Sequence, residues 1–281
     1  MIIWLASYPK SGNTLLRSIL SSYFYSNDGS FTFKNLEKIS QFPLTSHLMS
    51  VGVNIDNEED VFKNFINAQN LINQDKGKIK FFKTHSSLSQ MYESNFTDLR
   101  NTLGAIYIVR DPRNVVTSFA HHYSMSIDQA TEVMIDKNRF MDKTTKNCRV
   151  FLGSWSFNYN SWKNLQKNNK YLLIKYEDLI SKKKNVLLKI FKYLDFLGLK
   201  TNLDMIKLNK AIKTTQFEDM KKKEENEIFY EALFDINTGK RKNFFNLGPK
   251  NDWRKLLDKK NKDKIEKNFE KEMIELGYLK F

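Results

Sequence analysis

The sequence predicts an α/β fold with a central, mostly parallel β-sheet flanked by helices. Four short apolar runs, rich in Ile, Val, Leu and aromatic residues, lack the strict alternation of a half-exposed sheet and are typical of buried strands. Helical patterns lie between these runs, and strands that alternate with helices favour a parallel sheet. The chain has no internal repeat and no Gly-, Ser- or Pro-rich linker, so we expect residues 1–281 to form a single domain.

The predicted elements follow one another along the chain. The strands are expected at residues 2–6, 79–82, 103–109 and 171–174. Apolar residues recur at helical spacing over residues 14–25, 115–123, 155–166 and 186–194, which predicts helices there. Residues 26–60, 124–150 and 219–253 lack a clear pattern, and we predict loops or insertions at these places. Ligands of α/β proteins bind at the carboxyl ends of strands, so we expect these loops to contribute to ligand recognition.

The composition argues against several classes of protein. The single cysteine, Cys148, excludes an internal disulfide framework and a cysteine-built zinc site, and four histidines leave little for a histidine-built metal centre. No run approaches the ~20 apolar residues that a membrane-spanning helix needs. The N-terminus lacks the basic segment and apolar stretch of a signal peptide. We therefore predict a cytoplasmic protein without a bound metal or a transmembrane segment.

The charge has two interpretations. The chain has 46 Lys and Arg against 32 Asp and Glu, a formal charge of +14. Much of the excess lies in lysine-rich runs such as residues 182–184, which are usually solvated helix faces, and a basic surface raises the local concentration of any anionic small ligand. A nucleic-acid-binding protein is the alternative, and it would bind polymers in a salt-sensitive manner. We predict no specific nucleic-acid partner, and no feature of the sequence indicates an oligomeric state.

The turn after the first predicted strand has the features of an anion-binding loop. Residues 7–14 read Ser-Tyr-Pro-Lys-Ser-Gly-Asn-Thr and lead into a helical pattern. A helix N-terminus presents open backbone N–H groups and the positive end of its dipole, and Gly12 allows the backbone to approach a ligand closely. Ser11 and Thr14 add hydroxyl groups, and Lys10 adds a full positive charge. Because Lys10 precedes the glycine, this is not the usual P-loop motif, and an ordinary capped turn with a surface lysine is the alternative.

The second predicted strand ends in Lys83-Thr84-His85. A histidine just past a buried strand can act as a general base near neutral pH. A structural hydrogen-bonding role for His85 is the alternative.

The third predicted strand ends in Arg110, and Ser118 lies about two turns into the helical pattern that follows. These two residues can meet on one side of a phosphate group, which the planar fork of arginine suits. An ion pair between Asp111 and either Arg110 or Arg113 is the alternative.

These three segments and three later ones occur in a fixed order between residues 4 and 253. They are residues 8–14, Lys-Thr-His at 83–85, Ile-Tyr-Ile-Val-Arg-Asp-Pro-Arg-Asn-Val-Val-Thr-Ser at 106–118, Tyr-Glu-Asp-Leu at 176–179, Thr-Gln-Phe-Glu-Asp-Met at 215–220, and Phe-Phe-Asn-Leu-Gly-Pro-Lys-Asn-Asp-Trp at 244–253. Together they resemble the PAPS-dependent sulfotransferases, with residues 8–14 similar to the 5′-phosphosulfate loop and residues 106–118 similar to the 3′-phosphate motif.

The resemblance implies a three-layer, P-loop-NTPase-like fold and an enzyme that moves a sulfuryl group from PAPS (3′-phosphoadenosine 5′-phosphosulfate) to an acceptor, releasing PAP. The acceptor group would be a hydroxyl, with an amine as the second choice, on a small molecule, a lipid or a glycan. The implied catalytic residues are Lys10, Lys83 and His85. The implied nucleotide-binding residues are Lys10, Ser11, Gly12, Asn13, Thr14, Arg110, Ser118, Tyr176, Thr215, Phe217, Gly248 and Lys250.

The resemblance also implies a role for each group. Lys10 would contact the bridging oxygen of the phosphosulfate, and residues 11–14 would hold the 5′-phosphate. Arg110 and Ser118 would bind the 3′-phosphate. His85 would deprotonate the acceptor and Lys83 would help neutralise the transferring group, while the residues around the adenosine would be Tyr176, Thr215 and Phe217. Sulfuryl transfer is an in-line displacement that depends on positioning and charge stabilisation, and we expect it to need no metal.

The chain departs from the family pattern in three places. Leu15 stands where the family often has Trp, Asn246-Leu247 replaces an Arg-Lys pair, and Asn251 replaces a Gly. Some positive charge for the 3′-phosphate must then come from elsewhere, and the candidates are Lys250, Arg241 and Lys242. A P-loop-type small-molecule kinase or nucleotide hydrolase is the alternative function. It would need a lysine after its glycine and a metal-binding carboxylate, and neither is evident.

Overall fold

The computed structural model describes residues 1–75, 80–234, 239 and 241–280. Four of its strands are five to eight residues long, and the other described strands have two residues each and form short antiparallel pairs. Those described are β1 (Ile2–Ser7), β2 (Lys80–Thr84), β3 (Gln90–Met91), β4 (Ser94–Asn95), β5 (Thr102–Val109), β6 (Phe140–Met141), β7 (Val150–Phe151), β8 (Tyr171–Lys175), β9 (Leu233–Phe234) and β10 (Arg241–Lys242).

The helices range from single turns to 17 residues. They are α1 (Asn13–Tyr25), α2 (Phe33–Leu36), α3 (Thr45–Met49), α4 (Glu58–Lys63), α5 (Phe65–Gln74), α6 (Pro112–Tyr123), α7 (Ile127–Ile135), α8 (Trp155–Lys163), α9 (Tyr176–Ser181), α10 (Lys183–Phe196), α11 (Met205–Thr214), α12 (Phe217–Asn226), α13 (Trp253–Leu256) and α14 (Lys259–Glu275). Within the described ranges, none of these helices combines the length and the apolar character needed to span a bilayer.

The four longer strands form one parallel sheet in the order β2-β1-β5-β8. The central strand β1 is buried at every residue, as expected for a continuous apolar run inside a parallel sheet. This sheet and the helices between its strands confirm the predicted α/β class. The strands predicted at 2–6, 103–109 and 171–174 are present. The strand predicted at 79–82 runs from Lys80 to Thr84, and Ile79 lies outside the described residues.

The chain divides into two compact units. The first comprises Met1–Tyr8, Glu37–Val109 and Lys137–Leu203, and it contains the whole parallel sheet. Its core is centred on the fully buried Trp4, whose ring lies 5.3 Å from that of Phe96 and 5.6 Å from that of Phe42. The indole N–H of Trp4 donates to Thr102 Oγ1 at 3.0 Å, so the one polar atom of this side chain is satisfied.

The second unit comprises Pro9–Leu36, Arg110–Asp136 and Asp204–Phe281. It contains α1, α2, α6, α7, α11 to α14 and the β9–β10 pair. Its core includes a phenylalanine-rich cluster, in which the rings of Phe33 and Phe229 stack at 4.6 Å. The prediction of a single domain over residues 1–281 stays a prediction.

The four predicted helices are confirmed as α1, α6, α8 and α10, but the three predicted loop regions also contain helices. Residues 26–60 include α2, α3 and the start of α4, residues 124–150 include α7, and residues 219–253 include most of α12 and the first residue of α13. The loop prediction is wrong at these helices. Residues 235–238 and 240 of the last region lie outside the described residues.

Local capping residues set the starts of two of these helices. Helix α7 begins with a capping box, in which Ser126 Oγ accepts from the Gln129 N–H and the Gln129 side chain accepts from the Ser126 N–H. Helix α4 is capped by Asn57, whose side chain accepts from the Asp60 N–H, and the three acidic residues in its first turn interact favourably with the helix dipole.

Candidate functional site

The loop that precedes α1 in the second unit leaves a helix N-terminus open to an anion. Gly12 lies at the N-cap with φ 101°, a left-handed conformation that favours glycine, and no side chain caps the helix. The Ser11 hydroxyl is fully buried and forms no hydrogen bond with any residue that the structure describes. A buried hydroxyl without a partner is costly, so a ligand that accepts a hydrogen bond would stabilise it. These features fit a bound phosphate group.

Lys10, in the same loop, is held from two sides. Its Nζ lies 3.9 Å from the ring centroid of Phe244, a cation–π contact. Its carbonyl oxygen accepts a hydrogen bond from Arg110 Nη1 at 3.2 Å. Lys10 itself has φ 65°, which is unfavourable for a residue other than glycine. The loop, Arg110 and Phe244 are therefore brought together.

Thr14 contacts a residue that the sequence did not indicate. Its Oγ1 donates to Glu231 Oε2 at 3.1 Å, and Glu231 also forms an ion pair with Arg17, one turn further along α1. Arg17 is 1% exposed and donates to the Tyr230 hydroxyl at 2.9 Å. Burial lowers the pKa of Arg17, but Glu231 and Tyr230 raise it, and the net pKa is above its ordinary value. Arg17 thus stays charged inside the second unit.

The segment from Arg110 into α6 distinguishes between the alternatives for Asp111. Arg113 donates from Nε and Nη2 to the Asp111 carboxylate at 3.0 and 2.7 Å, so Asp111 pairs with Arg113. The Asp111 carboxylate also caps α6 by accepting from the Arg113 backbone N–H. Arg110 is buried beside the loop, and Ser118 lies half-buried on the second turn of α6.

Thr215 and Phe217 lie between α11 and α12, and Gly248 lies close to Phe217. Thr215 is buried, and its hydroxyl donates to the Ala211 carbonyl at 2.7 Å. A Cβ at Gly248 would lie 2.1 Å from Phe217 Cε2, so the backbone of Gly248 packs directly on this ring. Lys250 is exposed, and its Nζ lies 3.4 Å from Glu218 Oε1. The nucleotide-binding roles of these four residues stay predictions.

In the first unit, hydrogen bonds fix the position and the tautomer of His85. The residue follows β2 and is 9% exposed. Its Nδ1 lies 2.8 Å from the carbonyl oxygen of Ser7 and 3.3 Å from the Ser7 hydroxyl. Because a carbonyl oxygen can only accept, we assign the proton to Nδ1, and the lone pair of the neutral ring then lies on Nε2.

The backbone around His85 is held by residues that sequence reasoning missed. Asn158 on α8 donates to the His85 carbonyl at 3.0 Å, and Trp162 donates to the Ser86 carbonyl at 3.0 Å. Asn158 is fully buried and also accepts from Tyr107 at 2.8 Å. In the sequence, the one sign of these contacts is that Asn158 occupies a position on the apolar face of the predicted helix.

The other two predicted residues of the first unit are also buried. Lys83 belongs to β2 and is 9% exposed, and its backbone N–H donates to Ser40 at 2.9 Å. Tyr176 is the first residue of α9 and is 9% exposed. The first unit thus holds Lys83, His85 and Tyr176, and the second holds the other predicted site residues. Across the described ranges, no group of three or more His, Cys, Asp or Glu side chains is placed to hold a metal ion.

The sulfotransferase domain family matches residues 2–277 of this chain. The chain belongs to the sulfotransferase family. This confirms the predicted membership and the predicted enzyme class. The chain is 25% identical over 272 residues to sulfotransferase 1E1 of Bos taurus, covering 96% of this chain and 82% of the relative. It is 24% identical over 275 residues to cytosolic sulfotransferase 13 of Arabidopsis thaliana, covering 97% and 76%.

Solved sulfotransferase structures share the fold. Mouse sulfotransferase SULT7A1 complexed with PAP has a TM-score of 0.58 and 21% identity, with 96% of this chain and 83% of that chain covered. Retinol dehydratase in complex with androsterone and the inactive cofactor PAP has a TM-score of 0.60 and 18% identity, with 97% and 80% covered. These matches confirm the predicted P-loop-NTPase-like fold.

The departures from the family motifs have clear positions in this sulfotransferase. Leu15 packs partly buried against the phenylalanine-rich cluster of the second unit, and Asn246 and Leu247 are exposed. Asn251 is buried, accepts from Thr117 Oγ1 at 2.9 Å and donates to the Asn114 carbonyl at 2.7 Å. The asparagine that replaces glycine therefore ties the late motif to α6.

A buried carboxylate fixes the start of the late motif. Glu224 on α12 is 1% exposed and accepts from the backbone N–H groups of Phe244 and Phe245 at 2.7 and 2.9 Å. Charge-assisted hydrogen bonds of this kind are among the strong ones in proteins. Sequence reasoning missed Glu224 because its partners lie 20 residues away.

Proposed function

We propose that this sulfotransferase moves a sulfuryl group from PAPS to a hydroxyl group of an acceptor and releases PAP. The observation that carries the proposal is the uncapped N-terminus of α1 with its buried, unpartnered Ser11 hydroxyl, a combination suited to the phosphate of a nucleotide. The family membership and the PAP named in the titles of two similar structures support the same donor.

The donor-binding residues divide by the part of the nucleotide that they would hold. Residues 11–14 would bind the 5′-phosphate through backbone N–H groups and hydroxyls, with Lys10 beside the phosphosulfate bridge. Arg110 and Ser118 would bind the 3′-phosphate. Around the adenosine we propose Tyr176, Thr215, Phe217 and Gly248. We also propose that Lys250 contacts the nucleotide. To do so, its Nζ would have to break its ion pair with Glu218.

In the proposed reaction, the acceptor oxygen forms a bond to sulfur while the bond between sulfur and the bridging oxygen of PAPS breaks. The acceptor proton goes to Nε2 of His85, and the electron pair of the broken bond stays on the departing PAP. The Ser7 carbonyl would hold His85 in the tautomer that can accept this proton. Lys10 would stabilise the charge on the leaving oxygen, and Lys83 the charge on the transferring group.

For the acceptor we propose a small molecule. Androsterone and retinol are named with structures of retinol dehydratase, and luciferin is named in a sulfotransferase of Photinus pyralis that is 27% identical over 226 residues. If the acceptor is instead a lipid or a glycan, an assay of transfer from PAPS to that acceptor would show activity. The name of the Arabidopsis relative places that protein in the cytosol, and we propose a cytoplasmic location here.

The decisive experiment compares PAP with ATP, each with and without Mg²⁺, by thermal shift. At a concentration of about 100 times its Kd, a ligand adds about 2.7 kcal/mol to the stability, which corresponds to roughly 5 °C for a chain of this size. We expect PAP alone to raise the melting temperature. Stabilisation by Mg·ATP alone would instead favour the kinase or hydrolase. Radiolabelled PAPS with a panel of hydroxyl and amine acceptors then measures transfer directly.

A further inference from the structure

The late motif of this sulfotransferase lacks the cations that the family places beside the 3′-phosphate. Asn246 and Leu247 occupy those positions, and both are exposed. Among the arginines of the recognised motifs, only Arg110 is then assigned to the 3′-phosphate. This phosphate carries nearly two negative charges. A compensating cation is therefore expected from another residue of the second unit.

Three basic residues near the late motif differ in what they contact. Lys250 is exposed and faces Glu218, so its charge is already partly neutralised. Arg241 is exposed, and it donates to the carbonyl oxygen of Glu227 at 3.3 Å. Lys242 is half-buried, and its Nζ donates to the Ser124 hydroxyl at 3.2 Å. Of the three, Lys242 is the one with a described contact to Ser124, the residue that follows α6.

Helix α6 also carries Ser118, the predicted 3′-phosphate ligand. His121 follows Ser118 by three residues and His122 follows it by four, so the three side chains lie on neighbouring positions of one helix face. The His122 ring packs edge to face on Phe244 at 5.5 Å, the same ring that Lys10 contacts. The face of α6 that carries Ser118 is thus directed toward Phe244. Phe244 follows Lys242 by two residues in the sequence.

The electrostatics around His121 agree with this arrangement. Burial lowers the pKa of His121, and the positive charges of Lys242 and Lys10 lower it further. Both lysines therefore act on the turn of α6 next to Ser118. Glu224 holds the backbone at Phe244 and Phe245, which limits the movement of Lys242, two residues before Phe244.

We propose that Lys242 supplies the positive charge that binds the 3′-phosphate of the nucleotide, in place of the arginine that Asn246 replaces. This inference rests on the proposed function. Lys242 would donate to the phosphate, and a charge-assisted hydrogen bond of this kind is stronger than one to a neutral hydroxyl such as that of Ser124. Arg110, Ser118 and Lys242 together would distinguish PAPS from nucleotides without a 3′-phosphate.

The test measures the affinity of PAP and of 5′-AMP by titration calorimetry, because the two ligands differ in the 3′-phosphate. We expect the wild-type protein to prefer PAP. Lys242→Gln should weaken PAP binding about tenfold or more, because it removes a charge-assisted hydrogen bond to the 3′-phosphate, and change 5′-AMP binding by less than about twofold. Lys242→Arg, which keeps the charge, should retain the preference. Lys267→Gln, on the exposed side of α14, is the matched loss of one lysine and should change neither affinity.

The double variant Lys242→Gln/Asn246→Arg separates a lost charge from a damaged fold. Restoring a cation at position 246 should return most of the preference for PAP. The inference is overturned if Lys242→Gln keeps the wild-type preference, if it weakens both ligands equally, or if the double variant recovers nothing. A wild-type protein that binds no PAP would overturn the proposed function as well. A wild-type protein that prefers PAP, with an unchanged preference in Lys242→Gln, would overturn this inference alone.

Discussion

The Nδ1 atom of His85 lies 2.8 Å from the backbone carbonyl oxygen of Ser7, the last residue of β1. This contact joins residues that are 78 positions apart in the chain, and it exists because β1 and β2 are neighbours in the parallel sheet, with Ala6 opposite Thr84. A carbonyl acceptor selects the tautomer with a proton on Nδ1. The sheet register therefore prepares Nε2 to accept a proton.

From this geometry we predict that His85→Asn lowers transfer from PAPS by about 10²–10⁴-fold, the usual contribution of a general base. PAP affinity should stay within about twofold of wild type, because the base acts on the acceptor. Steady-state transfer assays and PAP titration check both parts. Near-normal turnover in the variant would show that another group accepts the proton.

The alternation of strands and helices was predictable because the buried strands are continuous apolar runs, as in β1 and β5. Residues 8–14 and 106–118 could be proposed as phosphate-binding segments because the residues of each are close in sequence and directly follow a strand or overlap its end, and their roles stay predictions. Asn158, Glu224 and Glu231 were not, because each acts through hydrogen bonds to residues far along the chain. Helix α7 was missed for a different reason: its start is set by a local capping box between Ser126 and Gln129, a signal that apolar periodicity does not include.

Lys10 combines a side chain that we propose to be catalytic with an unfavourable backbone conformation, φ 65°. Both Lys10→Gly and Lys10→Ala should lose transfer activity, because both remove the charge beside the phosphosulfate. Lys10→Gly should nevertheless be the more stable of the two by about 0.5–1 kcal/mol, since the left-handed conformation costs alanine about 1–2 kcal/mol and the entropy cost of glycine offsets part of that. Urea unfolding of the two variants measures the difference. Equal stabilities would mean that the loop relaxes around the substitution.

Gly248 permits the close approach of its backbone to Phe217, which we predict to lie against the adenosine. In Gly248→Ala the new Cβ would lie 2.1 Å from Phe217 Cε2, so the ring must move. We expect PAP affinity to fall about tenfold, because stacking on a base contributes about 1–3 kcal/mol. Gly239→Ala is the matched control: its φ of 65° is also positive, but none of the described residues has an atom within 4 Å of the added Cβ. Equal effects of the two substitutions would remove the argument for Phe217.

The buried ion pair between Arg17 and Glu231 should be important for the stability of the second unit. Arg17 is 1% exposed and Glu231 is 12% exposed. Glu231→Gln leaves a buried charge without its partner, which costs about 3 kcal/mol. The double variant Arg17→Met/Glu231→Gln should be more stable than the sum of the two single effects predicts. Urea unfolding measures the cycle, and the exposed pair of Lys143 and Asp56 provides a control in which Lys143→Gln should leave the midpoint unchanged.

His47 makes the stability of the protein depend on pH. Burial lowers the pKa of His47 from 6.5 to about 4, and its ring stacks on Phe42 at 5.5 Å. In the unfolded chain His47 therefore binds a proton below about pH 6.5, whereas in the folded chain it does so only near pH 4. The contribution of neutral His47 to the free energy of unfolding is consequently complete above pH 6.5 and decreases as the pH falls from 6.5 to 4.

Between pH 7 and 4 the loss due to His47 should be about 1–3 kcal/mol, because one pKa unit corresponds to about 1.4 kcal/mol. In His47→Asn the amide oxygen can still accept the Leu44 N–H that Nδ1 accepts at 3.2 Å, but the side chain does not titrate. The stability of this variant should consequently decline less over the same pH range, as measured by urea unfolding at each pH. Parallel declines in the two proteins would assign the pH dependence to other groups.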